Sequence, residues 1–138
     1  MNDAVAPRQT RTDTLTVEDF FDTQDVCNLD ELVAVLSRRS EPLDSNAFSM
    51  APAQASTPFL GIFVKGDRAV LNYIAESGDC ALSQGEPSCG ITSFYETRAG
   101  GTMDVPTEAI VPIEVAVDAA REFFQTRARP TCVEWLAL

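Results

Sequence analysis

The residue types that carry chemistry are unevenly supplied in this chain of 138 residues. It has 21 acidic residues, 10 basic residues, four cysteines and no histidine. Histidine is the commonest general base and metal ligand. Its absence removes Ser-His-Asp and Cys-His nucleophile sets and mixed Cys/His zinc sites. Lysine chemistry could rest only on Lys65, the one lysine. Carboxylates are numerous enough for a paired-carboxylate hydrolase, but any acidic chain offers such pairs by chance. Asp19, Asp22 and Asp25 share a short segment, yet the calcium-loop pattern with its central glycine is missing. Neither a GxxxxGK(S/T) loop nor a GxGxxG fingerprint occurs, and Gly85 to Gly90, with Pro87 between, suits a loop better than a phosphate cradle. These residues point to a binding protein rather than an enzyme, with no catalytic residue, cofactor or metal.

What remains is the distribution of charge. Between Asp13 and Ser37 stand seven acids (Asp13, Glu18, Asp19, Asp22, Asp25, Asp30, Glu31) and no base. Between Ala69 and Thr97 stand Glu76, Asp79, Glu86 and Glu96, again without a base. A charge run is ordinarily a solvated face. The sharper expectation is that the two segments converge into a patch facing a basic partner. Phe20 and Phe21, set inside the first run, would anchor in a partner pocket while the acids steer the encounter, although either ring could instead pack in the core. The expected partner-binding residues are Asp19, Phe20, Phe21, Asp22, Asp25, Glu76, Asp79, Glu86 and Glu96. A net charge of −11 argues against direct nucleic-acid binding, which relies on Lys and Arg at phosphates, and against an anionic membrane.

The start of the chain has no apolar run of the kind a secretory signal needs, and no stretch approaches the ~20 apolar residues of a membrane span. The expectation is a cytoplasmic protein. In that compartment Cys27, Cys80, Cys89 and Cys132, none of them in a CxxC pair, are expected as small core residues. A Cys80–Cys89 bridge across a hairpin is the rival.

The elements that must position these residues can be read in outline. Residues 1–13 are polar and aperiodic and are expected as a frayed arm, with one domain over residues 14–138. Leu15-Thr16-Val17 is a short β-like run. Asn28 or Asp30 can cap a helix in which Leu29, Leu32, Val33 and Leu36 share a face. Arg38 and Arg39 would complement its last turn, and Pro42 would stop it. Ala47 to Met50 is a candidate strand. Phe59 to Lys65 and Arg68 to Ala75 flank the turn pair Gly66-Asp67 and predict a hairpin. Cys80 to Ser83 and Ile91 to Thr97 add strands, with turns at Ser77-Gly78-Asp79 and Gly100-Gly101. Pro112 can open a second helix, with Ile113, Val117, Ala120 and Phe124 at helical spacing, Arg121, Arg127 and Arg129 toward its C-terminal end, and Pro130 ending it. Thr131 to Leu136 closes as a strand anchored by Trp135. The order, roughly β-α-β-β-β-β-α-β, predicts an α+β fold: a mainly antiparallel sheet with helices packed on one face.

One ordered set of residues goes further. It runs from Leu36-Ser37-Arg38-Arg39 through Gly61-Ile62-Phe63-Val64-Lys65 and Ala69-Val70-Leu71-Asn72-Tyr73. It continues with Gly90, Thr92, Phe94-Tyr95-Glu96 and Gly100-Gly101, and ends with Ala119-Ala120-Arg121-Glu122-Phe123-Phe124, Arg129-Pro130 and Trp135. This set resembles family one of the bacterial polymorphic-toxin immunity proteins, and within it the immunity proteins of DNA cytosine deaminase toxins. The resemblance covers about Leu32 to Leu138; Cys89 stands where a second glycine beside Gly90 is expected, and the segment to about Asn28 departs from the pattern. It implies an immunity protein that binds a cognate toxin domain and occludes its active site. The toxin would be basic and zinc-dependent, a deaminase acting on nucleic acid. The alternative is an acidic chaperone that escorts a secreted effector without inhibiting it.

Overall fold

The computed structural model describes residues 14–137, so the expected arm over residues 1–13 lies outside the described residues. Strands β1 (Leu15–Glu18) and β2 (Thr23–Val26) lead into helix α1 (Leu29–Leu36). Then come β3 (Ser45–Pro52), β4 (Phe59–Lys65), β5 (Arg68–Ile74), β6 (Cys80–Gln84), β7 (Ile91–Tyr95) and β8 (Thr102–Pro106). A 3-10 turn (Thr107–Ala109), the short β9 (Val111–Pro112), helix α2 (Ile113–Thr126) and β10 (Glu134–Ala137) complete the chain. The sheet is antiparallel in the order β10-β6-β5-β4-β3-β1-β2, with β9 also paired to β5, while β7 and β8 form a separate hairpin. This is the α+β arrangement the sequence predicts.

Strand alternation divides the sheet into two faces. Leu15, Val17, Phe48, Met50, Leu60, Ile62, Val64, Leu71 and Tyr73 point to one side and pack with Leu32, Leu36, Ala116, Ala119, Ala120 and Phe123 of the helices. Three alanines on α2 let that helix lie close to the sheet. Its buried stripe is thus Ala116, Ala119, Ala120 and Phe123, rotated from the predicted face, which leaves Val117 and Phe124 only partly covered. On the other side Val70 and Leu82 meet Phe94, Val105 and Ala109, with Phe63 and Leu136 at the margin. The β7–β8 hairpin therefore lies across the face that the helices leave free.

Local chemistry explains most boundaries. The Asn28 side chain accepts from the Glu31 N–H (2.9 Å), and the Glu31 carboxylate accepts from the Cys27 N–H (2.8 Å), a reciprocal cap. Helix α1 ends on Ser37, so Arg38 and Arg39 lie beyond the last turn rather than in it; Arg39 still reaches back to the Leu36 carbonyl at 2.8 Å. Helix α2 stops at Thr126, with Arg127 in the left-handed region (φ 55°), before Pro130 can act. Gly85 is required by contact: a Cβ there would come within 1.8 Å of the Ile110 carbonyl oxygen. That approach pins the β6–β7 connection against the 3-10 turn. Buried Ser83 fills the place where β5 exchanges β6 for β9: its hydroxyl accepts from the Leu71 N–H (3.0 Å) and donates to the Ala109 carbonyl (2.6 Å).

Further expectations are corrected, among them strand β8 (Thr102–Pro106), which the sequence pattern leaves out and which pairs with β7. The acidic segment after Glu18 contains β2, which the sequence pattern did not predict. Its Val26 is fully buried, and its pairing with β1 supplies what its propensity lacks. The cysteines are not core residues: Cys27, Cys80, Cys89 and Cys132 are all exposed free thiols, because each lies in a connection or at the first residue of an element.

Candidate functional site

The site begins with one enclosed carboxylate. Asp19 follows β1 directly, and its side chain has no solvent exposure. One oxygen accepts from the backbone N–H groups of Phe21 (2.9 Å) and Asp22 (3.1 Å). The other accepts from Asn46 Nδ2 (3.1 Å) and pairs with Arg38 (3.0 Å). Asn46, fully buried on β3, completes the knot: its Oδ1 accepts from the Phe20 N–H (3.0 Å) and its Nδ2 also donates to the Arg38 carbonyl (3.1 Å). Arg38 also bridges to Asp22 at 3.0 Å. A paired and fully hydrogen-bonded buried charge is tolerated where an unpaired one is not. The β1–β2 turn is accordingly fixed by groups far apart in sequence.

The fixed turn presents its two aromatics differently. Phe20 is half-buried, while Phe21 is 39% exposed. The guanidinium of Arg38 lies 5.5 Å from the Phe21 ring centre and that of Arg98, from the β7–β8 tip, 5.1 Å. These cation–π contacts hold the ring outward. They also show that the hairpin tip reaches the β1–β2 turn. Gly100, at φ +107°, permits the tight reversal there.

Between turn and hairpin the sheet is open. Ala47, Ser49, Phe59, Gly61 and Phe63 form the floor of a groove of about 290 Å³. Glu18, Asp19 and Phe20 border one side and Glu96 the other. The Phe59 ring lies against Gly61, where a Cβ would meet it at 3.0 Å, so the missing side chain keeps the floor flat.

Of the sequence-predicted residues, Asp19, Phe20 and Glu96 meet at this groove, with Phe21 and Asp22 on the adjoining turn. Asp25 lies on the neighbouring edge strand, accepting from the Thr16 hydroxyl at 2.9 Å. Glu76 and Asp79 sit elsewhere. The register places the β5–β6 turn beyond Phe59 and Pro52, at the opposite end of the strands from the β1–β2 turn. Glu86 is exposed in the β6–β7 connection. The two acidic runs thus do not merge into one patch; a single residue of the second run, Glu96, joins the first. Sequence reasoning missed Arg38 and Asn46. A fully amide side chain at the start of a β-like run was the available signal, since a buried one demands partners. No group of three or more His, Cys, Asp or Glu side chains among the described residues is arranged to hold a metal ion.

At the other end, Glu122 ties α2 to the last strand, accepting from the Thr131 N–H and hydroxyl (both 2.8 Å) and from the Cys132 N–H (3.3 Å). Desolvation pushes its pKa up, but these hydrogen bonds outweigh it and the net direction is down. Burial pushes the Cys132 thiol up, and the Glu122 charge adds to it. Trp135 donates to the Pro130 carbonyl (2.9 Å) and packs on Tyr73, ring centres 6.1 Å apart. These contacts are structural.

Fold and site define a class: a two-layer α+β protein with one helix-backed sheet face and one partly open, acidic face. Residues 22–137 match the family described as Immunity protein Imm1, and the chain belongs to that family. It is 35% identical over 122 residues to a "Double-stranded DNA deaminase immunity protein" of Burkholderia cenocepacia (strain H111), covering 88% of this chain and 98% of that relative. A crystal structure of a hypothetical protein from Neisseria gonorrhoeae shares the fold at a TM-score of 0.57 and 15% identity, over 88% of this chain and 92% of that one. Among the described residues no helix is long and apolar enough to cross a membrane.

Proposed function

We propose that this protein neutralises a cognate toxin that deaminates cytosine in DNA, by binding the toxin domain and occluding its active site. The supporting observation is the kinship just described: 35% identity spread over 98% of a relative named as the immunity protein of a double-stranded DNA deaminase. In this reading residues 14–138 act as one domain in the cytoplasm, with no catalysis of their own. The toxin is a zinc enzyme with a basic substrate groove. Occlusion keeps a cytosine from the zinc-bound water. The acidic surface, at net charge −11, speeds the encounter. A stable complex would bury about 1,200–2,000 Å² in total.

The test is co-expression. A neighbouring toxin domain is produced in cells with and without this protein, and the genome is sequenced for C-to-T changes. Rescue with those changes suppressed is the expected result. Rescue from a toxin that leaves no such changes would replace the toxin chemistry. Binding without rescue would favour the escort role.

A further inference from the structure

The groove between the β1–β2 turn and the β7–β8 hairpin has a composition that selects its occupant. Its floor is apolar and aromatic, through Phe59, Phe63 and the half-buried Phe20. Its two sides carry Glu18 and Glu96, both exposed. Neither carboxylate has an ion-pair partner among the described residues. The nearby cations are already engaged: Arg38 with Asp19 and Asp22, Arg98 on the Phe21 ring, and Lys65 over Tyr95 at 5.8 Å. The sides are also fixed before any partner arrives. The Asp19–Asn46–Arg38 knot holds one, and the hairpin's own apolar cluster of Phe94 and Val105 against Val70 holds the other. A preformed surface loses less freedom on binding.

We propose that this groove is the docking slot for an arginine side chain carried on a surface segment of the toxin domain. This rests on the reading of the chain as an immunity protein and adds where the toxin is gripped and by what chemistry. A guanidinium is planar and weakly hydrated, and it stacks on aromatic rings while its edge N–H groups pair with carboxylates. An ammonium gains less from an aromatic floor, and an anion is repelled from both sides. The volume is at the small end of ligand cavities, which suits one side chain with its flanking backbone. Phe21, held outward on the adjoining turn, then lies beside the slot as an apolar contact.

The experiment uses the full chain and a catalytically dead form of the toxin domain identified by the co-expression test, with affinity and association rate measured by interferometry. The variants are Glu18→Gln/Glu96→Gln and Glu18→Lys/Glu96→Lys. A control pair, Glu76→Lys/Asp79→Lys, carries the same charge change at the other end of the sheet. Thermal melting confirms that each is folded, and both groove positions are exposed, so folding is expected to be kept. The expected result is a loss of about 100-fold in affinity for the Lys pair and about tenfold for the Gln pair. The control stays within about threefold. Equal losses in groove and control variants would reduce the effect to net charge and overturn the slot. Wild-type-like binding by the Gln and Lys groove pairs would overturn it too, leaving the immunity function standing. Failure of the wild-type chain to bind the toxin domain would overturn the function itself, and the slot with it. Self-association of this chain abolished by the groove variants would make a second copy the occupant and overturn the toxin assignment.

Discussion

The two ends of the sheet both carry acids and are unlike in construction. At the β1–β2 end, Asp19 is enclosed by four hydrogen-bonding groups, Asp22 is paired and Phe21 is held outward between two guanidinium groups. At the β5–β6 end, Glu76 and Asp79 stand exposed around Gly78, and Glu122 is spent on joining α2 to the segment that leads into β10. Acidic composition therefore gives long-range attraction at both ends, but only at the β1–β2 end are the carboxylates and an aromatic ring locked into one network. The distinction matters for binding, because steering needs charge alone, whereas a lasting complex needs groups already in place.

The comparison breaks most readily at Asp19. Asp19→Ala would remove the acceptor shared by Asn46 and two backbone N–H groups and leave Arg38 with Asp22 alone, and should cost about 3 kcal/mol in urea denaturation. A loss below about 1 kcal/mol would mean the knot is not what fixes the turn. Next in size, Phe21→Ala should weaken toxin-domain binding by about tenfold in a titration while leaving the melting temperature nearly unchanged, since the ring is already partly exposed. An unchanged affinity would remove the ring from the interface.

The other end offers smaller and purely structural effects. Glu122 is held below its ordinary value of 4.5 in the folded state. Its stabilisation is present above the unfolded-state value and is lost as pH falls through the lower folded one. Chemical denaturation from about pH 5 down to about pH 3 should thus show a shallower decline for Glu122→Gln than for the wild type, starting from a lower stability at neutral pH. Parallel curves would refute the assignment. Smallest of all, the exposed Cys132 thiol is pushed up by partial desolvation and by the Glu122 charge beside it. Its alkylation by iodoacetamide at about pH 8, followed by mass spectrometry, should rise about threefold in Glu122→Gln.

Much of the frame was legible from residues alone. The Phe59–Lys65 and Arg68–Ile74 hairpin, the Asn28 cap and the strand around Trp135 are local signals, and local signals survive folding. Strand β2 was not legible, because a run such as Thr23-Gln24-Asp25-Val26 becomes a strand only through its pairing with β1. The groove was half legible. The acids and phenylalanines of the first run drew attention by type, yet nothing in spacing could show that Glu96 would join them while Glu76, Asp79 and Glu86 would not. The Arg38–Asn46 knot was hidden for the same reason: its members look like a helix-end cation and a strand residue until the chain brings them together.

The β7–β8 hairpin keeps its own small apolar cluster on the far side of the sheet from the helices. Residues that shape its tip, such as Glu96 and Arg98, are exposed and lie outside the main apolar cluster, so substitutions there leave that cluster untouched. The molecule is a hull with a separable jaw. The tip that closes the groove can be re-cut by substitution without disturbing the helix-backed layer that keeps the chain folded.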